Sequence, residues 1–591
     1  MKVLFSLRNF WYVKIFESAV LELATRGHQV MLVADERASP DGSDEWQAAA
    51  ERLTDASPLI RWRYFEREET GQWAAFTRQL RFGGDYLRFL DPVYTGAPML
   101  RARAASRTPE FARSLAGSWP FRIPRGRQLL RRALVATERA VPDDQAVVAL
   151  LETERPDVVM VSPLISLGSP QFDILRTAMR RGIRSALAVG SWDHLSSKAL
   201  VRDIPDLVLV WNDTQRDEAV RLHGIPAEQI AVTGAQCFDQ WFDRQPTRNA
   251  ETFKRHVGLA PDKPFVLWVC SALFEGSPSE AALVARWAAL VRHHPLLAEY
   301  GVLVRPHPKR GHQWTGSGLG AVANSALWPK NAAAPFDPDT KDDYFDSLFH
   351  ASAVVGLNTS ALLEAAVAGR PVLTVLLPEF HDNQGGTLHF RYLLEVAGGL
   401  LGTSRTLDEQ VDQLASAVVT PDAAIARSRR FVEAFLRPHG LSTPATEKFA
   451  DAVETLSRTP VTRPIGDPWW VSPLRVAIAP VARRTRGTES IERQRRQHLK
   501  REERDAEVAR RVADKQRRYA EELLAREQRV AREHADNEMR RAARIKARDD
   551  HSVGKQQAKQ VAKRRKARQQ FVQRVRARLA ALIDGGRPHS R

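Results

Sequence analysis

Short apolar runs recur along the first 457 residues, separated by polar turns and by stretches whose apolar positions return every three or four residues. KVLFSL reads as a buried strand, RNFWYVKI as a polar and aromatic loop, Phe16 to Arg26 as a helix, and GHQVMLVAD as a second strand behind a glycine stop. Strands joined by helices lie parallel, and a parallel sheet keeps its chemistry at the carboxyl ends of its strands. The loop from Arg8 to Lys14 falls on that edge. It lacks the GxGxxG pattern, which disfavours a dinucleotide.

The rhythm breaks over about 36–145, where RWRYFER, RQLRFGGDYLRFLDPVY and RGRQLLRRALVATERAV predict a helical insertion, read first as a solvated layer. It resumes at PDVVMVSPL, and the strands RSALAVGS, DLVLVWN and IAVTG follow with helices between them. Ser191, Trp192, Asp193 and His194 stand just past one strand end, although Asp193 reads equally well as the cap of the next helix. After DRQPTRNAET a second unit opens with FVLWVCS, which ends at Ser271. GVLVRPHPKRG closes a strand with Arg305, His307 and Lys309, its prolines holding the turn extended. ASAVV, GLNTS, a helix from Ala361 to Val367 and VLTVLL then deliver Asn358, Thr359 and Ser360 to a helix start. Free amides and the helix dipole favour phosphate there, and ordinary capping by Ser or Thr is the competing reading. Glu364 lies one turn deeper on the side of Ser360. The expected architecture is α/β: domains at 1–243 and 244–457, their sheets facing across a cleft.

The remainder changes the picture through composition. Residues 458–486 hold five prolines with Trp469 and Trp470 and read as a linker with an exposed aromatic step. Residues 487–591 read as a charged helical tail. From Ser490 to Arg548 there is neither proline nor any glycine, and Leu499, Val508, Val512, Leu523, Leu524 and Val530 keep no strict heptad, which leaves open a coiled coil and a solvated single helix. Residues 551–591 carry 12 basic side chains and one acidic. VAKRRKARQQFVQRVRARLAALI interleaves Phe571, Val572, Val575 and Leu579 with cations, which suits an anionic membrane surface, or less readily nucleic acid, or a solubilising tail. The whole net charge of +18 sits behind residue 480: residues 481–591 hold 34 basic and 16 acidic side chains, and residues 1–480 hold 54 of each. Two cysteines exclude a disulfide framework and a cysteine-built metal site, and fit a cytoplasmic setting. The amino-terminal run is interrupted by Arg8, Lys14 and Glu17 and reads as a first strand rather than a targeting segment.

RPHP at Arg305 to Pro308, GLNTSALLEAAVAGRPVLT at Gly356 to Thr374, VTGAQCFD at Val232 to Asp239 and SWDHLSSK at Ser191 to Lys198 together carry a resemblance. Residues 1–457 resemble the GT-B glycosyltransferases, especially the group of CDP-glycerol glycerophosphotransferases, capsule polysaccharide transferases and UDP-N-acetylglucosamine 2-epimerases. The resemblance implies two facing Rossmann-like domains and an enzyme moving a sugar or glycerophosphate-type group from a nucleotide donor to a cell-envelope glycan or lipid-linked acceptor. It places His307 at the donor phosphate, Arg305, Asn358, Thr359 and Ser360 around it, Glu364 at the ribose, Ser271 facing the donor, and Asp382, Asn383 and Gln384 at the donor sugar.

Two departures shape the expectation. The position eight after Glu364 is Val372, so the paired glutamates of retaining enzymes are missing, and Asp193 or His194 is left as the base of an inverting displacement. No DxD pair stands in a suitable loop, and no metal or cofactor beyond the donor is expected. Two other readings remain: a nucleotide-sugar 2-epimerase, and a non-catalytic scaffold whose basic helix binds nucleic acid or membrane. The enzyme would be cytoplasmic and peripheral at the inner face of the membrane, with self-association through the tail as a further expectation.

Overall fold

The computed structural model describes residues 1–35, 45–65, 71–463, 466–485 and 553–579, with isolated positions between 539 and 551. Residues 1–489 form one unit and residues 490–591 another. Two parallel sheets carry the first unit. One has seven strands, β1 (Lys2–Leu7), β2 (Gln29–Ala34), β3 (Ile60–Tyr64), β4 (Val158–Ser162), β5 (Arg184–Ala188), β6 (Leu207–Val210) and β7 (Ile230–Val232), in the order β3-β2-β1-β4-β5-β6-β7. The other has six, β8 (Phe265–Val269), β9 (Gly301–Arg305), β10 (Ser325–Leu327), β11 (Val354–Gly356), β12 (Val372–Val375) and β13 (Gly402–Ser404), in the order β10-β9-β8-β11-β12-β13. Central strands such as FVLWV are buried along their whole length, as the continuous apolar runs require when helices cover both faces.

Each order reverses once, between β1 and β4 and between β8 and β11. Loops leaving those neighbours diverge and open a crevice at the carboxyl edge. Gly356 is required at the second of these points: a Cβ there would lie 2.7 Å from the carbonyl oxygen of Val269, which leaves β11 no room for a side chain beside β8.

Four expectations are corrected. RWRYFER, expected to be helical, begins within β3, the edge strand of the first sheet; the burial of β3 alternates, Ile60 inward and Arg61 outward, so charge on the open face masked the period of two. Beyond β3 the helices of the insertion are Gln72–Arg88, Pro98–Arg107, Glu110–Gly117 and Pro124–Arg139, and several of their charges lie inside rather than in solvent. Glu138 accepts from Arg81 at 2.7 Å and Arg176 at 2.9 Å, Arg176 also meets Asp203 at 2.6 Å, and Asp85 pairs with Arg202. Burial alone would raise the Glu138 carboxyl, but Arg176, Arg81 and Arg202 outweigh it and bring it down to about 2. The network ties the insertion to the helix Gln171–Arg180 behind β4.

The expected linker is also largely structured. Residues 471–485 are helical, Ala482 packs with Phe76 and Val141, and Arg475 donates to the Ala140 carbonyl at 2.8 Å. Trp469 remains 87% exposed.

The boundary between the halves is crossed twice. Helix Ala445–Arg458, placed by sequence in the second domain, packs in the core of the first: Phe449, Ala450, Val453 and Leu456 join Phe16, Ala19 and Leu23. At the crossing, Asp239 accepts from Arg437 Nε at 3.0 Å and Nη2 at 2.8 Å, and from the Thr446 amide and hydroxyl, both at 2.7 Å. Gly234 stands at φ +90° there, and a Cβ on it would come within 2.7 Å of the Ala445 methyl.

In the second unit, residues 553–579 form a helix exposed along its length, Phe571, Val572, Val575 and Leu579 included. The long helix expected over 490–548 lies almost wholly outside the described residues. Among the described residues no helix is long and apolar enough to cross a membrane.

Candidate functional site

The carboxyl edges of the two sheets enclose two adjoining cavities of about 720 Å³ and 290 Å³. The larger is walled on one side by the loop after β1, with Arg8, Trp11 and Tyr12, by Lys14 in the first turn of the helix Val13–Thr25, and by the segment after β5. On the other side stand Arg305 at the end of β9 and His307 just past it, Thr359, Ser360 and Glu364 after β11, and Tyr344 from the helix Pro338–Phe349. The smaller is walled by Arg103, Asp193, Lys198, Asn358, Asn383 and His389, among others, and shares His307, Thr359 and Ser360 with the larger. His307 therefore stands where the two spaces meet.

His307 is half-buried, and its Nδ1 accepts from the Lys309 amide at 3.2 Å, which leaves the proton of the neutral ring on Nε2. Burial together with Lys309, Lys14 and Arg310 lowers its pKa to about 4. The same crowding acts on Lys14, where burial, Lys341 and Lys309 outweigh Glu364 and bring the ammonium down to about 8. In both groups burial comes first and the neighbouring cations add to it.

Glu364 receives a hydrogen bond from the Tyr344 hydroxyl, and burial raises its carboxyl above the usual range against the pull of that bond, Lys14 and Arg305. Arg305 is committed to Asp343 at 3.2 Å and Ser347 at 3.1 Å and lies over the Tyr344 ring, so it braces the wall. Ser360 is the first residue of the turn into the helix Ala361–Val367 and makes no side-chain cap bond, so its hydroxyl is not spent on capping.

Asp193 accepts from Ser191 at 2.6 Å, Ser197 at 2.9 Å and Lys198 at 3.2 Å. Burial alone would raise its carboxyl, but Lys198, His194, His389 and the Ser191 bond hold it well below the ordinary carboxylate range. That makes it a fixed anion and a weak proton acceptor. His194 is buried, with a pKa lowered by burial to about 4 and an Nδ1 that has no hydrogen-bond partner.

Three expected donor residues stand elsewhere. Ser271 lines neither cavity; it is buried between strand ends, its hydroxyl accepting the Asn358 amide at 3.0 Å and its own amide bonded to Glu280 at 2.9 Å. Gln384 is buried and gives its amide to the carbonyls of Leu357 at 3.3 Å and Val375 at 3.1 Å and to the Thr374 hydroxyl at 3.1 Å. Asp382 is exposed and lines neither space. Their neighbour Asn383 does reach the smaller cavity, bonded to the Phe274 amide at 2.7 Å and Ser277 at 2.8 Å.

Several residues escaped the sequence reading. His389 lies edge-on to Trp192 with ring centroids 4.7 Å apart, is lowered by burial to about 4, and keeps an unpartnered Nδ1. Asn358 Oδ1 and Arg103 Nε are likewise buried without partners. Unsatisfied polar atoms beside one cavity mark a place where water or a ligand completes the bonding. Lys14 and Lys198 lie in stretches already singled out by sequence, and His389 eight residues past His381 in the loop after β12; Tyr344 and Arg103 come from helices whose pattern carries no sign of them. Among the described residues no group of three or more His, Cys, Asp or Glu could hold a metal ion.

Strand order and connection define a two-domain α/β protein with two Rossmann-like halves facing across a cleft, the GT-B arrangement. No protein-family model and no curated protein matches the chain. Solved structures similar to it include a UDP-GlcNAc 2-epimerase from Neisseria meningitidis bound to UDP-GlcNAc, 11% identical, with 78% of this chain and 100% of that one covered at a TM-score of 0.43. The UDP-GlcNAc 2-epimerase from Methanocaldococcus jannaschii gives 11%, 78%, 100% and 0.45. A glycosyltransferase from Rickettsia africae gives 8%, 78%, 99% and 0.43. At these values the likeness carries no part of the argument, and the class rests on the topology above.

Proposed function

We propose that the protein transfers a sugar or related group from a nucleotide donor to a glycan or lipid-linked acceptor of the cell envelope. The observation that carries this is the placing of Lys14, Lys309 and the His307 ring around one cavity, beside the unspent hydroxyl of Ser360. Such a cluster relaxes when a polyanion enters, and a diphosphate is the anion whose size and charge suit a cavity of this volume. Thr359 and Ser360 donate to its oxygens and Lys14 and Lys309 balance its charge, so a metal is not required. Glu364 accepts from vicinal ribose hydroxyls.

Departure of the group leaves charge on the diphosphate, and the Nε2–H of His307 is placed to donate to it. Of the two candidate bases, Asp193 suits holding Lys198 in place, and His194 offers a neutral imidazole. The acceptor enters by the smaller cavity, where Arg103, Asn358 and His389 have bonding capacity left.

Thermal denaturation against a panel of nucleoside diphosphates and nucleotide sugars tests the donor class, because a ligand of the folded state raises Tm with its affinity. Incubation of the stabilising nucleotide sugar without acceptor should leave it intact or slowly hydrolysed. An epimerised product would replace transfer by epimerisation, and no stabilisation by any nucleotide would leave a scaffold.

Binding should also carry a proton. Lys14 titrates near 8 in the free protein and higher beside a diphosphate, so affinity is full below that pH and falls as pH climbs from there towards the bound-state value. Calorimetry in two buffers of different ionisation enthalpy reads the uptake above that pH. Lys14→Met should remove the pH slope and weaken a nucleoside diphosphate about tenfold or more.

A further inference from the structure

Helices Glu110–Gly117 and Pro124–Arg139 of the insertion are joined by a turn over 118–123. Their inner faces pack near Gly83 of the helix Gln72–Arg88: a Cβ on Gly83 would sit 3.8 Å from the Ala112 methyl and 3.6 Å from Leu134. The outer faces are apolar where a solvated helix is polar. Phe111 is 64% exposed, Trp119 83% and Leu129 65%, with Leu115 and Ile123 between them also exposed. Phe111 and Leu115 are one turn apart on one stripe, and Arg125, Leu129 and Arg132 form another.

The turn is fixed. Arg127 donates to the Leu90 carbonyl at 2.5 Å and the Arg122 carbonyl at 2.6 Å, and Arg122 donates to the Gly117 carbonyl. Gly126 lies so close to Pro120 that a Cβ would come within 2.3 Å of its carbonyl oxygen. These apolar side chains are therefore held out in water by structure.

The charge around them is of one sign. Residues 101–132 contain nine arginines and a single acid, Glu110, although residues 1–480 as a whole are neutral. Arg101, Arg107, Arg113, Arg122, Arg125 and Arg132 are exposed. An apolar patch rimmed by arginine matches the boundary between acyl chains and anionic headgroups. Phosphate-directed nucleic-acid binding makes no use of Leu115, Ile123 and Leu129. A second copy would set arginines against arginines.

We propose that the hairpin of residues 110–132 is a docking surface for an anionic lipid bilayer, with Phe111, Leu115, Trp119, Ile123 and Leu129 entering the headgroup boundary and the surrounding arginines meeting lipid phosphates. This surface is distinct in sequence from the basic helix 553–579 and does not depend on the transferase reading.

The test uses the full chain carrying Ser118→Cys, labelled with the fluorophore NBD, with wild-type labelled in parallel to account for Cys237 and Cys270. Vesicles are equal parts phosphatidylcholine and phosphatidylglycerol, or phosphatidylcholine alone. The label should shift to the blue and be quenched by lipid-borne nitroxide on the anionic vesicles only. Arg122→Gln/Arg125→Gln/Arg132→Gln should lower partition at low salt about a hundredfold, at roughly fivefold per arginine. Phe111→Ser/Leu115→Ser should lower it about tenfold with Tm unchanged. Co-sedimentation while the label stays in water would overturn the proposal in favour of the tail helix. Absence of binding would overturn it as well, as would shielding of the label by duplex DNA or by raised protein concentration instead of lipid. If either multiple variant fails to fold, the label on the otherwise native chain still decides.

Discussion

Replacing His307 by alanine is expected to lower turnover about a thousandfold while changing the affinity for a nucleoside diphosphate only a few-fold. The ring is neutral, its Nδ1 is engaged by the Lys309 amide, and its Nε2–H stands where the two cavities meet. A group that donates to charge developing on the leaving diphosphate acts on the transition state more than on the bound donor. The measurement is a comparison of single-turnover rate with donor Kd. Loss of binding in proportion to loss of rate would assign His307 to donor binding alone. His307→Gln, which keeps a donor at a similar reach, should recover part of the rate.

The second large effect concerns the crossing between the halves. Asp239→Ala should cost about 3–5 kcal/mol, because it strips a buried arginine of its counter-charge. The carboxylate takes four hydrogen bonds from Arg437 and Thr446, and Arg437 is 5% exposed. Asp239→Asn keeps an acceptor oxygen and should lose about half as much. Urea unfolding followed by circular dichroism reads both. A cost below about 1 kcal/mol for alanine would mean that the bonds are replaced by solvent.

The strands and the cleft-lining loops were legible because a parallel sheet buries both faces of its strands and writes itself as unbroken apolar runs. FVLWVCS, GVLVR and VLTV could hardly be anything else. β3 was not legible, since an edge strand with arginine on its open face loses the run that marks its neighbours. The insertion hid its interior for a related reason: Arg81, Arg176 and Arg202 look like surface residues until Glu138, Asp85 and Asp203 are brought beside them from distant segments. Residues expected at strand ends, such as His307, Thr359 and Asp193, do line the cleft. Tyr344 and Arg103 were not legible, because a side chain pointing into a cleft from the flank of a helix leaves no local period. Gln384 and Ser271 show the converse: polar residues expected at the cleft, whose side chains serve the backbone around it instead.

The return of the helix Ala445–Arg458 to the first core bears on the order of events during synthesis. Phe449, Ala450, Val453 and Leu456 complete a core whose other members lie within residues 3–336, most of them before residue 210. At about 5–20 residues per second, the ribosome needs roughly 10–50 s between finishing β7 and releasing that helix. Throughout that time the amino-terminal half has its sheet but lacks one wall. A nascent chain arrested near residue 243 should therefore hold an open apolar groove that chaperones recognise, and a peptide of residues 440–460 supplied in trans should close it.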